Sequence, residues 1–197
     1  NFKIKKVLIK NFIKGENISN NYKKSDTFFY ITLNENNTNV IFFENNSIKQ
    51  EQRFEFGTNI VLKDISKITL LDIDEIKIIL DKIELSDDTL ESELIEKSFF
   101  KKNIYKKIKK KLIYEIAFER IKEMSETILF KNINFAYYNK HSNNIFLEID
   151  DKLQLKCLKE IYRKNFVKNK NYNIDFVNFS KNSMLNTASK LVHFGWK

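Results

Sequence analysis

A chain of 197 residues with no proline and only three glycines lacks almost all the residues that usually stop helices and turn strands. Asparagine has to take over that role, because its short side chain tolerates left-handed backbone. Turns are therefore expected at Asn20-Asn21, Asn34 to Asn39, Asn45-Asn46 and Asn143-Asn144. On either side of the second cluster lie two aromatic and β-branched runs, Phe28 to Leu33 and Asn39 to Phe43, which together read as a hairpin. Lys3 to Ile9 alternates charged and apolar residues as a strand does. Phe54, Phe56, Ile60 and Leu62 alternate around Gly57, where a bulge or turn is expected. Ile65 to Asp72 and Ile76 to Leu80 read as further strands, with a helix as the alternative for the second. Residues 1–85 thus form an expected β-rich region.

The pattern changes near Ser86. Asp88 and Glu91 have capping-box spacing, which predicts a helix to about Lys97. A longer helix is predicted from Phe99 to Phe130. Ile104, Ile108, Leu112 and Ile116 make one apolar stripe on it. Ile113, Ala117, Ile121, Met124 and Ile128 make a second, on nearly the opposite face. Such a helix would be packed on two sides, with Ile108 and Ile121 buried against different groups. Residues 86–130 are therefore read as a helical connector. Residues 131–197 are read as a smaller α/β part, with a hairpin of Ile133 to Tyr138 and Ile145 to Ile149. A helix over Asp151 to Lys164, a strand over Tyr172 to Phe179 and a last helix capped by Ser180 complete it. The expected class is α+β: a mostly antiparallel N-terminal β region, a long central helix and a C-terminal α/β part, in one compact unit.

Hydrophobic residues make up 42% of the chain and eighteen are Phe, too many for a disordered polymer. A chain of this length hides roughly 70% of its unfolded surface on folding. No apolar run approaches the roughly 18 residues a membrane span needs. The first ten residues do not have the pattern of a secretory leader. A single cysteine, Cys157, cannot form an internal disulfide or a thiolate zinc site. These features point to a cytoplasmic or other reducing intracellular compartment.

The formal net charge is +9, and it is unevenly placed. Ten acids lie between Asp72 and Glu96, and eight lysines with no acid between Lys97 and Lys111. On the predicted helix, Lys102, Lys106, Lys109 and Lys110 oppose the first apolar stripe. A second basic segment combines Arg163, Lys164, Lys168 and Lys170 with Phe166, an aromatic that could stack on a base. These nine residues lead to a basic nucleic-acid-binding module that reads the phosphate backbone with little sequence selectivity. Two observations weigh against it. AT-rich coding would raise Lys and Asn without any ligand, and arginine, the better phosphate reader, occurs only at Arg53, Arg120 and Arg163. The alternative is a non-catalytic protein–protein assembly or scaffold subunit of a larger complex, whose mark would be a contiguous exposed apolar patch. A metal-dependent nuclease is the second alternative: Asp64 and Glu75 as metal carboxylates, with Lys77 two residues on to polarise water. Asp150-Asp151-Lys152 has similar spacing. Otherwise the sequence indicates no catalytic residue, metal ligand or cofactor. His141 and His193 are far apart, and the glycines are too scattered for a phosphate loop. The expected partners are nucleic acid, another protein or a second copy.

Overall fold

The structure, a computed structural model, describes residues 7–22, 26–83, 93–100, 105–138, 140–142, 144–166 and 172–194. Helix α1 (Lys10–Asn21) precedes strands β1 (Phe28–Leu33), β2 (Thr38–Glu44) and β3 (Ser47–Phe54). Helices α2 (Asn59–Thr69) and α3 (Ile73–Lys82) follow. After a 3-10 turn at Lys97–Phe99 comes α4 (Lys110–Ser125), continued by a π turn at Glu126–Phe130. The chain then runs through α5 (Ile133–Tyr138), β4 (Asn144–Ile149), α6 (Lys152–Cys157), α7 (Lys159–Phe166), β5 (Asn173–Phe176) and α8 (Lys181–Phe194).

One five-stranded mixed sheet, in the order β3-β2-β1-β4-β5, organises the molecule, and the class is α+β. The first three strands form an antiparallel meander, and β4 and β5 add parallel to β1. Asparagine makes two of the expected turns, Asn34 to Asn37 and Asn45-Asn46; Asn20-Asn21 instead end α1, and Asn143 lies outside the described residues. Asn45 and Asn46 both have positive φ, at 50° and 58°, the two-residue geometry that matches strand twist in a hairpin. The β1–β2 turn is closed by the Asn34 N–H donating to the Asn37 carbonyl at 2.9 Å.

Alternate residues of each strand face opposite helical layers. Phe29, Ile31, Leu33, Val40, Phe42, Ile145 and Leu147 pack into a large apolar cluster with α2 to α7. Phe28, Tyr30, Ile41, Phe43 and Phe146 face the other way, onto α1 and α8, in a much smaller cluster. Both faces of the parallel half are therefore covered, as parallel pairing requires.

Several expected elements are replaced. Residues 7–9 lead into α1 and are not a strand, while residues 3–6 lie outside the described residues. The segments read as strands over Ile65 to Asp72 and Ile76 to Leu80 are α2 and α3. Val61, Leu62, Ile65 and Thr69 are the buried positions of α2, a helical spacing that period-two alternation masked. The capping box is at Asp72 and Glu75, at the start of α3; the one expected at Asp88 lies outside the described residues. Ile133 to Tyr138 is helical, so β4 pairs with β1 and not with a hairpin mate. The helix read over Asp151 to Lys164 is broken at Leu158 into α6 and α7.

The long central helix is also shorter than expected. α4 begins only at Lys110, and the chain before it is extended. There Leu94 and Lys109 form an antiparallel bridge, with the Ile95 N–H donating to the Ile108 carbonyl at 2.9 Å. Ile108 and Ile121 are both buried, but in the same cluster. The first stripe is not one helical face: Ile108 lies on the extended segment, Leu112 and Ile116 lie on α4, and Ile104 lies outside the described residues.

Candidate functional site

Among the described residues, the lysines expected to bind phosphate do not form one helical face. Lys106 reaches back to the carbonyls of Leu70 and Thr69, at 3.1 and 3.5 Å, where the chain turns out of α2. Lys110 pairs with Glu93, one of the preceding acids, at 2.7 Å. Lys109 is exposed but lies in the extended bridge, so no helix aligns it with the other two. In the second segment Arg163 faces Glu160 at 3.9 Å, and Lys164 is exposed. Phe166 is fully buried beside Tyr162, an anchor in the core and not a platform for a base. Lys102, Lys168 and Lys170 lie outside the described residues.

The nuclease trio is also dispersed. Asp64 is on α2, hydrogen-bonded to Arg120, which also pairs with Glu123 at 2.6 Å. Glu75 and Lys77 are two residues apart on α3, so they point to opposite sides, Glu75 buried and Lys77 exposed. Glu75 serves the helix cap through the Asp72 N–H. Asp151 likewise caps α6 by accepting from the Gln154 N–H at 3.1 Å. Among the described residues, no group of three or more His, Cys, Asp or Glu side chains gathers as metal ligands would. The Cys157 thiol donates to the Leu80 carbonyl at 2.7 Å, and burial pushes its pKa up, away from nucleophile behaviour.

The structure brings together a different group. At the carboxyl ends of β1 and β4 a cleft of about 420 Å³ opens toward α1 and α8. Parallel sheets commonly place their ligands at this end. The register sets Thr32 beside Glu148, and Asn34 and Asp150 extend the two strands to the rim. Lys14 enters from α1 and is only 7% exposed. Its ammonium meets the Glu148 carboxylate at 2.5 Å and lies against the rings of Phe179 and Tyr30, at 5.3 and 5.6 Å. The Tyr30 hydroxyl donates to the same carboxylate oxygen. Burial, and then the negative charge of Glu148, hold that phenol far above the usual tyrosine range, so it stays a proton donor. Lys10 and Lys181 are exposed at the rim, and Met184 contributes to the wall. Nothing in composition or spacing singled out Lys14, Tyr30 and Glu148. The available signal was a lone acid in the apolar run Ile145 to Ile149, which becomes informative only once α1 is known to be a helix.

The β1–β2 turn, at the same end of the sheet as the cleft, is closed. The N–H groups of Thr58 and Asn59, at the start of α2, donate to the carbonyls of Asn34 and Glu35, each at 2.9 Å. Gly57 lies so close to this turn that a Cβ there would overlap the Asn34 carbonyl oxygen. The Asn59 amide also donates to Asn36 Oδ1 at 3.1 Å. The first backbone N–H groups of the helix are thus bonded to the turn, while the Thr58 hydroxyl is buried without a hydrogen-bond partner among the described residues.

No protein-family model matches the sequence, and neither does any curated protein. Solved structures match the fold. MreB5 of Spiroplasma citri, bound to ADP, superposes with a TM-score of 0.55 at 13% identity, over 93% of this chain and 58% of that one. A non-polymerisable quadruple mutant of pCBH ParM gives 0.55 at 10% identity, over 89% and 51%. The Alp12 filament structure gives 0.50 at 12% identity, over 91% and 51%. The chain thus spans little more than half the length of each. The neighbours have the actin-like ATPase fold, which overturns the expectation of a basic nucleic-acid-binding module.

A nucleotide, suggested by the ADP in one neighbour, fits the residues poorly. The helix start that could cradle a phosphate has its first N–H groups bonded to the β1–β2 turn. In the cleft the deepest cation, Lys14, is already taken by Glu148, so a phosphate entering there would meet Glu148 and Asp150. Among the described residues, no helix is long and apolar enough to cross a membrane.

Proposed function

We propose that this chain is a non-catalytic assembly or scaffold subunit of a larger complex, built on an actin-like fold. The observation that carries this reading is the mutual closure of the β1–β2 turn and the start of α2, in a fold whose neighbours include a filament protein. The chain keeps the sheet and fills its own anion-binding groups. The surface supports the same reading. Ile68, Leu70 and Ile73 are all exposed around the α2–α3 corner, grouped as an interaction surface would need. Leu70 also adopts left-handed backbone, with φ of 56°, which turns its side chain to solvent where glycine would be the easier choice.

Sedimentation velocity over rising concentration, with and without Mg-ATP, tests the proposal. The expected result is a species larger than the monomer whose size does not depend on nucleotide. A chain that assembles only with ATP, or turns ATP over, would contradict it.

A further inference from the structure

The sheet has two edges, and they differ. β5 is four residues long, whereas β3 runs for eight, Ser47–Phe54. Only β2 pairs with β3, and among the described residues no other backbone group bonds to it. A long open edge is a template for another strand, and proteins usually blunt one with charges that repel a second copy. The charges here alternate in sign: Lys49, Glu51, Arg53 and then Glu55, all exposed, with Gln50, Gln52 and Phe54 between them half-buried.

We propose that β3 pairs antiparallel with β3 of a second copy, across a two-fold axis at Gln52. Directly opposite residues in that register are Glu51 with Arg53 and Arg53 with Glu51. Both charged positions of the regular stretch then face their opposites, and cross-strand pairs of opposite charge are stabilising. The neighbouring same-face registers fail. One sets Glu51 against Glu51. The other sets Arg53 against Arg53. The charge pattern therefore selects one register and one partner, another copy of this chain, in the self-complementary arrangement of a two-fold dimer. The bulge between Phe42 and Phe43 lies opposite the Lys49 end and limits continuous pairing to about Gln50 to Phe54. Existing contacts do not block it: Arg53 meets Glu55 at 2.9 Å and the Asn11 amide donates to Glu51 at 3.0 Å, both at the surface, and such contacts are exchanged at little cost.

This inference rests on the assembly reading, and a charge swap tests it separately. Sedimentation equilibrium of the full chain should give a dimer. Glu51→Arg places Arg opposite Arg53 twice per dimer and should raise the dissociation constant about tenfold or more. Glu51→Arg combined with Arg53→Glu reverses both partners and should return it to within about threefold of the parent. Recovery in the double variant cannot come from a fold defect, and circular dichroism checks each variant. A parent that oligomerises with no response to Glu51→Arg would overturn the edge pairing and leave the assembly reading standing. A parent that stays monomeric would overturn the pairing too, and any assembly would then need a different protein.

Discussion

The two faces of the sheet are stabilised differently. The face under α2 to α7 is almost entirely hydrocarbon and aromatic, continuous from Phe29 and Ile31 through Ile121 to Tyr162. The face under α1 and α8 has a far smaller apolar cluster threaded with polar ties. Lys14 and Tyr30 share Glu148, and the Asn17 amide donates to Ser183 Oγ and Thr187 Oγ1 at 2.6 and 2.9 Å. The first face buries enough apolar surface to hold the fold. The second gains position more than stability, because a buried ion pair offsets little beyond its own desolvation. α1 and α8 are thus the layer held by specific contacts, and the cleft opens on their side.

The largest expected effect lies on the apolar face. Phe29→Ala, at a side chain 1% exposed between Phe42 and Phe135, should cost roughly 3–5 kcal/mol in denaturant unfolding. A loss under about 1 kcal/mol would erase the contrast between the faces.

Next comes the polar clasp. Glu148→Ala leaves Lys14 buried without its partner and should cost on the order of 3 kcal/mol. Replacing all three, Lys14→Met and Tyr30→Phe with Glu148→Leu, should recover most of that loss. If the triple variant is as unstable as the single, the clasp contributes net stability and the contrast between the faces fails.

A smaller loss is expected from Gly15→Ala, where the added Cβ would overlap the Phe43 ring beneath α1. Overpacking of this kind costs about 1–3 kcal/mol, seen as a lowered Tm. An unchanged Tm would mean that α1 can lift off the sheet freely.

The smallest effect is kinetic. Cys157, half-buried and bonded to Leu80, should react with an alkylating reagent more slowly in the folded chain than in urea. Its raised pKa means the native state holds that proton longer, so stability falls slightly as pH rises through the unfolded thiol pKa of about 8.5. Equal alkylation rates in the two states would contradict its placement.

The hairpin was legible because its signals are local: β-branched and aromatic runs, with Asn45 and Asn46 supplying the positive φ. The helices after it were not, because Phe54, Phe56, Ile60 and Leu62 mimic period two across the junction from β3 into α2. The central helix was overextended because Ile108 and Leu112 keep helical spacing across a boundary that the bridge between Leu94 and Lys109 sets from outside. Charge misled for a related reason. Lys110 and Glu93 are seventeen residues apart in sequence yet paired in the fold, so a run of lysines was not a free face. The cleft was least legible, since Lys14 and Glu148 are separated by 134 positions and meet only through the parallel pairing of β1 and β4.

The closed junction of turn and helix carries the central claim, and calorimetric titration of the full chain with Mg-ATP tests it most directly. The account predicts no saturable binding heat at millimolar nucleotide, because Thr58 and Asn59 already donate to Asn34 and Glu35. Saturable one-to-one binding in the micromolar range would contradict it and set the chain beside its nucleotide-bound structural neighbour.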